Sequence, residues 1–371
     1  MKKKILFLIH DLSHGGAEKV LVNLVNNIDP ERFEICVTAI FGGGINAQFL
    51  KPHIRYRAVF PRPFRGNSHL MKLFSPKMLH KMFVKERYDI EVSYLEGPCA
   101  RIISGCPDPN VKKVCWIHIE MPSEKRAATG FRSHSEALCG YSRFDRIVCV
   151  SQNVREVFLR YMPTDVPVDV LYNTNESGQI RALAGEPVAE NVFSENEIKL
   201  VGVGKLLYNK GFHRMLPAIQ KLRQDGHPVH LYILGVGPAE AELKRQAKEL
   251  GIAEAVTLLG YDTNPYKYVA KCDLFVCASF AEGFSTAATE ALIVGTPVCT
   301  VEVSGMKEML GENNEYGLVT ENNEEALYQG IKKLLDDPAL LNHYKKQAAL
   351  RGQNFSTEET VRAVEEMLLN L

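Results

Sequence analysis

The stretch from residue 273 to residue 301 constrains the fold of this chain more than any other. An all-apolar run, Leu274 to Ala278, is typical of a buried strand, and Ser285 to Val294 is rich in residues that favour helix. Gly295 ends that helix, and a second apolar run, Val298 to Val301, follows almost at once. The pattern predicts a strand, a turn, a helix and another strand, which is the repeating unit of a parallel α/β sheet.

The turn between that first strand and its helix carries the candidate ligand-binding groups. In a parallel sheet the carboxyl end of a strand opens onto the ligand crevice, and the next helix directs its free N–H groups and positive dipole end there. Ser285 and Thr286 begin the helix, so their hydroxyls and amides predict a diphosphate site. Glu282 lies in the turn and Glu290 lies further along the helix, where a carboxylate can accept two hydrogen bonds from a diol such as ribose. A nucleotide diphosphate sugar offers all of these groups.

The pattern around the two glutamates resembles a known signature. Glu282 is followed by Gly-Phe and Glu290 by Ala-Leu, and Gly-Thr-Pro comes after the helix. This arrangement resembles the donor-binding signature of retaining glycosyltransferase family 4. The resemblance implies that Glu282 holds sugar hydroxyls and supports an oxocarbenium-like transition state, that Glu290 holds the ribose, and that Gly283 and Phe284 belong to the donor loop.

Other loops in the second half are similar to parts of the same donor site. Gly-Lys-Leu-x3-Lys-Gly at residues 204 to 211 resembles the family's diphosphate clamp, and Lys205 and Lys210 flank this loop so that both can reach one phosphate pair. The family usually has arginine at the first of these positions, so Lys205 departs from the pattern and loses the bidentate fork. The loops after the next two strands supply the remaining donor-site candidates: Gly235, Gly260 and Tyr261.

The first half repeats the strand and helix pattern and adds three candidates. Gly15 and Gly16 stand between the opening strand and a helix, where two glycines let the backbone approach a ligand, although the same pair suits an ordinary turn. Gly-Gly-Ala-Glu-Lys-Val-Leu at this place is similar to the family's first loop, which implies contact with donor phosphates or the acceptor. His118 directly follows a strand, at the edge where a crevice lies. The resemblance implies that it contacts the donor sugar from the opposite domain.

Two successive series of strands and helices predict two domains. Residues 176 to 197 are polar and lack a period, which predicts a linker. We expect an α/β fold of two doubly wound, Rossmann-like domains facing a cleft, the glycosyltransferase-B fold that the resemblance implies. Residues 1 to 175 would bind the acceptor and residues 176 to 355 the nucleotide sugar. By resemblance, residues 356 to 371 would cross back to the first domain.

The two halves carry opposite charge. Residues 1 to 175 have 25 Lys and Arg against 17 Asp and Glu, whereas the remainder has 19 against 27. A basic first half predicts an anionic partner such as a lipid surface or a phosphate, although opposite charges also attract the halves to each other. Residues 60 to 88 mix large apolar side chains with cations, which can lie in the headgroup plane of an anionic membrane or form a solvated face of a packed helix. The cations of this segment are Arg62, Arg65, Lys72, Lys77, Lys81, Lys85 and Arg87.

The cysteines and the amino terminus bear on the cellular compartment. Nine cysteines without a C-x-x-C pair, several inside apolar runs, predict buried reduced thiols rather than a disulfide framework or a zinc site. The apolar run after the first lysines is too short for a signal peptide, and no stretch approaches the roughly 18 to 20 apolar residues of a spanning helix. We expect a cytoplasmic protein, and peripheral attachment to the inner face of the cell membrane stays open.

The resemblance implies a retaining, metal-independent hexosyltransferase. It would move a sugar from a nucleotide diphosphate sugar, with UDP-sugars the first expectation, to a glycan or polyprenyl-linked acceptor in surface-polysaccharide synthesis. No D-x-D motif stands in a suitable loop, so we expect no metal and no cofactor, and we expect no nucleic-acid partner. Glu282, His118 and Lys210 are the predicted catalytic residues, Lys210 because it would stabilise the leaving diphosphate. The alternatives are a sugar-nucleotide epimerase of the same fold and an inactive glycosyltransferase-like partner subunit.

Overall fold

The computed structural model describes residues 2–64, 66–194 and 196–371, and it divides the chain into two compact units. The first unit extends to Thr174 and also contains Thr357–Leu371, and the second unit is Asn175–Ser356. Arg65, one of the predicted membrane-facing cations, lies outside the described residues. The acceptor and donor roles assigned to the two domains stay predictions.

The first unit is built on one seven-stranded sheet in which neighbouring strands are parallel. Its strands are β1 (Lys3–Ile9), β2 (Phe33–Phe41), β3 (Arg55–Phe60), β4 (Ile90–Ser93), β5 (Lys112–Ile117), β6 (Arg146–Cys149) and β7 (Val168–Val170). Its helices include α1 (Gly16–Asn27), α2 (Asn67–Leu73), α3 (Pro76–Phe83), α4 (Pro98–Ile103), α5 (Glu124–Ala127), α6 (His134–Tyr141) and α7 (Gln152–Tyr161). The strand order is β3-β2-β1-β4-β5-β6-β7, so the direction of winding reverses between β1 and β4.

The second unit has a six-stranded parallel sheet. Its strands are β8 (Ile198–Val203), β9 (Val229–Leu234), β10 (Val256–Gly260), β11 (Leu274–Cys277), β12 (Val298–Val301) and β13 (Leu318–Thr320). Its helices are α8 (Ser177–Ala184), α9 (Phe212–Gln224), α10 (Glu240–Glu249), α11 (Tyr266–Val269), α12 (Thr286–Ile293), α13 (Met306–Leu310), α14 (Glu324–Asp336) and α15 (Pro338–Arg351). The order β10-β9-β8-β11-β12-β13 reverses between β8 and β11. The predicted doubly wound α/β fold is therefore confirmed in both units.

The central strands are buried on both faces, as parallel strands covered by helices must be. Ile5 to Ile9 of β1 and Leu274 of β11 are fully buried. Each such apolar side chain stabilises the fold by about 1.5–3 kcal/mol relative to leaving it exposed. This burial fixes the strand ends from which the site loops emerge.

The last helix, α16 (Thr357–Leu369), packs on the first unit. Lys3 Nζ donates a hydrogen bond to the carbonyl of Leu368 at 3.1 Å. The Glu365 carboxylate accepts from the Asp29 N–H at 2.7 Å and from Arg32 at 3.0 Å. The chain thus returns to the sheet with which it begins.

The structure corrects the predicted linker. The interpretation of residues 176 to 197 as irregular is wrong for α8, an eight-residue helix. Ile180 is its single buried apolar residue, so the helical period is too weak to stand out from the polar sequence. Asn264 Nδ2 donates to the carbonyl of Leu183 at 2.9 Å and ties α8 to the second unit.

All nine cysteines are free thiols, and eight of them are buried, Cys139 being exposed. Among the described residues, no helix combines the length and the apolar character that crossing a membrane requires.

Candidate functional site

The residues predicted to bind phosphate and sugar lie at the edge of the second sheet where the strand order reverses. The loop after β8 carries Lys205 and Lys210, and the loop after β11 carries Glu282. Because β8 and β11 are paired neighbours, these two loops leave the sheet side by side. In open parallel sheets, ligands bind in the crevice at this reversal point.

Lys210 and Glu282 form an ion pair, with 2.7 Å between Lys210 Nζ and Glu282 Oε1. Ser279 Oγ donates to the same carboxylate oxygen at 2.7 Å. Burial alone would lower the pKa of Lys210, but the Glu282 carboxylate outweighs it and holds this pKa above its ordinary value. The edge therefore presents a cation that suits a phosphate beside a carboxylate that suits sugar hydroxyls.

The loops after β8 and β11 fit against each other through a glycine. Gly211 has a φ of +69°, and a Cβ there would lie 1.9 Å from the carbonyl oxygen of Ala278. The Phe280 N–H also donates to the carbonyl of Asn209 at 2.9 Å. A larger residue at Gly211 would push the two loops apart and separate Lys210 from Glu282.

Arg214 of α9 anchors the loop after β11 through hydrogen bonds and a contact with an aromatic ring. It is 3% exposed, and its Nη1 donates to the carbonyl of Ala278 at 3.0 Å and to Asn322 Oδ1 at 2.7 Å. Its guanidinium carbon lies 4.5 Å from the ring centroid of Phe280. Sequence reasoning missed Arg214. An arginine on the apolar face of an amphipathic helix could have indicated it, because a buried guanidinium needs hydrogen-bond partners.

The start of α12 has the expected form. The Ser285 hydroxyl caps the helix by accepting from the Ala288 N–H at 3.4 Å, and Thr286 is the first helical residue. A serine hydroxyl that accepts one hydrogen bond can still donate one, so Ser285 keeps a donor for an anion.

Glu290 lies in the second turn of α12 and is 7% exposed. Tyr266 Oη of α11 donates to Glu290 Oε1 at 3.3 Å. Its carboxylate is therefore positioned by protein contacts, and its predicted role in holding ribose stays a prediction.

The glycines after β9 and β10 bring two further loops to the same edge. Gly235 has a φ of +139°, donates its N–H to the carbonyl of Gly260 at 2.7 Å, and has room for no Cβ, which would lie 1.9 Å from Gly204 O. Tyr261 follows Gly260 and is 43% exposed. Lys205 stands in the adjoining loop, and its side chain makes no hydrogen bond or ion pair with the residues that the structure describes.

Phe284 is a packing residue in this structure. Its ring is 5% exposed and lies 6.0 Å from the ring of Phe355, also in the second unit. A Cβ on Gly305 would lie 2.7 Å from the carbonyl oxygen of Gly283. Packing against Gly305 and Phe355 therefore fixes the positions of Gly283 and Phe284 in the loop.

The edge of the first unit holds the remaining predicted residues. Gly15 precedes α1 and Gly16 begins it, after the end of β1, and a Cβ on Gly15 would overlap the Glu18 carboxylate at 1.7 Å. His118 follows β5, and its N–H donates to Glu96 Oε2 at 3.0 Å. The sequence analysis missed Glu96, which lies three residues after the end of β4, whereas His118 directly follows β5.

Burial shifts the pKa values of His118 and Glu96 in opposite directions. Burial lowers the pKa of His118 to about 3, so the imidazole is neutral near pH 7. Burial also raises the pKa of Glu96, against the hydrogen bond from the His118 N–H that favours the carboxylate. Arg126 also acts on Glu96 and favours its carboxylate form, against the effect of burial.

One group of potential metal ligands lies away from both edges among the described residues. His80, Glu91 and Cys106 are buried, and their ligand atoms lie within 4.8 Å of one another. His80 Nε2 already bonds to Glu91 Oε2 at 2.7 Å. The group therefore closes on itself as an internal ion pair that fastens α3 to β4.

The basic segment of the first unit forms α2 and α3. One face of α3, with Leu79 and Phe83, is buried. The opposite face exposes apolar and cationic side chains together: Lys77, Met78, Lys81 and Met82. The described part of this segment thus combines the packed helix with an exposed face of mixed apolar and basic character.

Both halves of the chain match known protein families. Residues 14–174 match the model for Glycosyltransferase Family 4, and residues 186–351 match the model for Glycosyl transferases group 1. Together the two matches take in most of both units.

Named relatives point to glycan synthesis in other organisms. N-acetylgalactosamine-N,N'-diacetylbacillosaminyl-diphospho-undecaprenol 4-alpha-N-acetylgalactosaminyltransferase of Campylobacter jejuni is 34% identical over 232 residues, covering 62% of this chain and 61% of that relative. Lipopolysaccharide core biosynthesis glycosyltransferase LpsD of Rhizobium meliloti is 24% identical over 367 residues, covering 98% of this chain and 96% of that relative.

Solved structures share the fold at low identity. HepE of Anabaena in complex with UDP and glucose superposes with a TM-score of 0.81 at 20% identity over 100% of both chains. Sucrose-phosphate synthase of Thermosynechococcus elongatus has a TM-score of 0.75 at 17% identity, over 100% of this chain and 99% of that one.

Proposed function

The chain belongs to the family 4-like glycosyltransferases of the glycosyltransferase-B fold, and on that premise we propose that it transfers a sugar from a UDP-sugar to a polyprenyl-diphosphate-linked saccharide in surface-polysaccharide synthesis. The observation that carries the proposal is the Lys210–Glu282 ion pair at the reversal point of the second sheet. The donor nucleotide is suggested by the UDP in the Anabaena structure, and the acceptor class by the name of the Campylobacter relative.

The second unit would bind the donor. Lys210, Lys205 and the N–H groups at the start of α12 would stabilise the negative charge that develops on the departing diphosphate. Glu282 would accept hydrogen bonds from sugar hydroxyls and stabilise positive charge on the anomeric carbon. Release of Lys210 from Glu282 to the diphosphate would leave the carboxylate free for the sugar.

We further propose that the reaction retains the anomeric configuration and needs no metal. Two lysine side chains and helix N–H groups supply the positive charge that a divalent ion would otherwise supply. Retention is proposed from the family 4 motifs at Glu282 and Glu290.

The first test is a thermal-shift titration with UDP, GDP, ADP and their common sugars. A specific ligand at a hundredfold excess over its dissociation constant stabilises the protein by about 2.7 kcal/mol. We expect a shift with UDP compounds that is clearly reduced in Lys210→Met and kept in the matched surface variant Lys345→Met. No shift with any nucleotide diphosphate would contradict the proposal.

The second test measures the reaction itself. The protein would be incubated with the UDP-sugar that gives the largest shift and with short-chain polyprenyl-diphosphate N-acetylgalactosamine as the acceptor probe, in EDTA and in Mg²⁺. Product NMR would report the anomeric configuration. Epimer release from donor alone would favour the epimerase, and inversion or a strict need for Mg²⁺ would overturn the corresponding part of the proposal.

Attachment to an anionic membrane through α3 is the proposed route to a lipid-linked acceptor. Met78 and Met82 are 53% and 40% exposed, and Lys77 and Lys81 stand beside them. Each cation near an anionic surface contributes about 1 kcal/mol, and buried methionine side chains add to it. Vesicle flotation should show binding that needs anionic lipid and falls about tenfold or more in Lys77→Glu/Lys81→Glu, but not in the control Lys345→Glu/Lys346→Glu.

A further inference from the structure

Three aromatic rings are stacked at the donor edge of the second unit. The Tyr208 ring lies nearly parallel to the Phe280 ring, at 8° with 5.4 Å between the ring centroids. It is also stacked on the His213 ring, at 17° and 4.4 Å, and the His213 and Phe280 rings lie at 23° and 5.7 Å from each other. Offset stacking of this kind is favourable for aromatic rings. Tyr208, His213 and Phe280 therefore form one cluster, which we call the ring stack.

The ring stack joins the two loops that carry Lys210 and Glu282. Tyr208 stands two residues before Lys210 in the loop after β8, and Phe280 stands two residues before Glu282 in the loop after β11. His213 belongs to α9, which follows the first of these loops. A contact between Tyr208 and Phe280 therefore also sets the distance between the backbone segments from which Lys210 and Glu282 extend.

Burial in the core does not explain Tyr208 and Phe280. Tyr208 is 72% exposed and Phe280 is 43% exposed, whereas aromatic side chains that stabilise a core bury most of their surface. The Tyr208 hydroxyl makes no hydrogen bond with the residues that the structure describes. Its ring is therefore the part of this side chain that makes contact, and the contact is with the other two rings.

The ion pair between Lys210 and Glu282 cannot hold the two loops throughout the reaction. In the proposed mechanism Lys210 leaves Glu282 for the diphosphate, so this 2.7 Å contact is lost when the donor binds. The ring stack contains none of the atoms that bind the donor in that mechanism, so it can stay closed. The hydrogen bond from the Phe280 N–H to the Asn209 carbonyl joins the same two loops and can stay with it.

We propose that Tyr208 and Phe280 are positioning residues: their stacked rings keep Lys210 and Glu282 at the separation that transfer requires once the donor has replaced the ion pair. This inference rests on the proposed function, because it takes Lys210 as the group that acts on the diphosphate and Glu282 as the group that acts on the sugar. UDP engages the Lys210 side of the edge alone, whereas the transition state needs both groups at once. The ring stack therefore acts on the rate of transfer more than on UDP affinity.

The link between the loops can be measured without a substrate. Hydrogen-exchange mass spectrometry of the full chain would follow a peptide that contains Phe280, whose N–H donates to Asn209 in the other loop. In Tyr208→Ala we expect this N–H to exchange about tenfold faster, because local opening of the two loops becomes easier. Leu350→Ala removes an exposed apolar side chain of α15 and should leave the exchange unchanged. Wild-type exchange in Tyr208→Ala would overturn the link.

Kinetics test the positioning role, with the UDP-sugar chosen by thermal shift and short-chain polyprenyl-diphosphate N-acetylgalactosamine as the acceptor probe. In Tyr208→Ala we expect kcat to fall about tenfold, with the Kd for UDP and the acceptor KM within about twofold of wild type, because the groups remain but are less well placed. Tyr208→Phe keeps the ring and should restore kcat, whereas Tyr208→Leu keeps only apolar volume and should not. Tyr208→Ala/Phe280→Ala should be little slower than Phe280→Ala, since the two rings act as a unit.

The outcomes separate this inference from the proposed function. If the wild type binds no nucleotide diphosphate and transfers no sugar, the proposed function fails and the positioning role fails with it, whereas hydrogen exchange still decides whether the ring stack joins the loops. If the wild type is active and Tyr208→Ala keeps its kcat, or Tyr208→Phe does not restore it, the positioning role is wrong. A change confined to the acceptor KM would also overturn it, because the exposed Tyr208 ring would then be a surface that contacts the acceptor.

Discussion

The two units have the same doubly wound sheet but opposite chemistry at the point where each sheet reverses. The edge of the second unit holds a lysine paired with a glutamate, both charged. The edge of the first unit holds a neutral histidine with an unpaired ring nitrogen and a carboxylate whose pKa is raised by burial. The same fold therefore carries different chemistry at the two edges, so a fold alone does not determine the ligand.

The difference also shows in how each edge is held. In the second unit, Arg214 and the glycines at 211, 235 and 305 lock the loops closely together. In the first unit, hydrogen bonds from the backbone N–H groups of His118 and of Glu96 itself hold the Glu96 carboxylate. The preorganisation of the second edge is what a site that stabilises developing charge requires.

The largest effect should come from Glu282→Gln, which removes the charge of the donor edge and keeps its shape. We expect the rate of sugar transfer to fall on the order of 10²–10³-fold, because the carboxylate acts on charge that develops in the transition state. The Kd for UDP should change little. The control is Glu325→Gln, an exposed carboxylate of α14 that pairs with Lys221. A transfer rate within tenfold of wild type would remove Glu282 from the mechanism.

Lys210→Met should come next, since it removes the cation of the pair and leaves Glu282 without its partner. Hydrogen bonds to charged groups contribute about 1.5–3 kcal/mol, so UDP affinity should weaken by about 10-fold to 100-fold. Calorimetric titration with UDP measures this. Equal UDP affinity in Lys210→Met and wild type would show that the diphosphate lies elsewhere.

Lys205→Arg sharpens the comparison, because a guanidinium fork can bind phosphate through two hydrogen bonds and should tighten UDP binding a few-fold.

Sequence motifs predicted the second edge better than the first. Lys210 and Glu282 were assigned from separate motifs, and the structure brings them to 2.7 Å. Arg214 and Asn322 were missed because their contacts join segments that are distant in sequence, and Ser279 was missed although its partner Glu282 is only three residues away. Glu96 was missed because a single carboxylate after a strand has no motif to mark it, and its hydrogen bond from the His118 N–H is visible only in the structure.

The fold was predictable where the sequence has a long apolar run or a clear hydrophobic periodicity. Apolar runs such as β1 and β11 identified the central strands. The edge strand β3, with arginines at two of its six positions, and the short helix α8 were missed because each buries few apolar side chains. Tertiary packing, not local pattern, decides such elements.

The pH dependence of the free energy of unfolding tests the burial of His118. The pKa of His118 in the folded chain is about 3, below the ordinary 6.5, so only the unfolded chain binds a proton between these values. The stability that neutral His118 contributes is fully present above about pH 6.5 and falls by about 2 kcal/mol at pH 5. In His118→Gln, unfolding of the first unit should lose this acid dependence.

His80 is the internal reference for that measurement. Burial would lower its pKa, but hydrogen bonds from the ring to Cys106 and Glu91 raise it to about 9. Its contribution is therefore fully present below about pH 6.5 and is lost as the pH rises towards 9. The stability deficit of His80→Gln should shrink between these values, the opposite slope to His118→Gln. Parallel pH profiles for the two variants in denaturant unfolding would contradict both assignments.

The smallest effect should come from Asn322→Ala, which tests whether Arg214 and its partner Asn322 position the loop that carries Glu282. Within the described part of the chain, Asn322 makes no hydrogen bond to Lys210 or Glu282, but it accepts from Arg214, which in turn donates to Ala278 four residues before Glu282. Losing one such bond costs about 0.5–1.5 kcal/mol, so UDP-sugar affinity should weaken about two-fold to tenfold while UDP affinity stays nearly constant. Asn313→Ala, at an exposed turn of the same unit, is the control. If Asn322→Ala weakens UDP and UDP-sugar equally, then Arg214 supports the unit as a whole, and the precise placement of Glu282 does not depend on it.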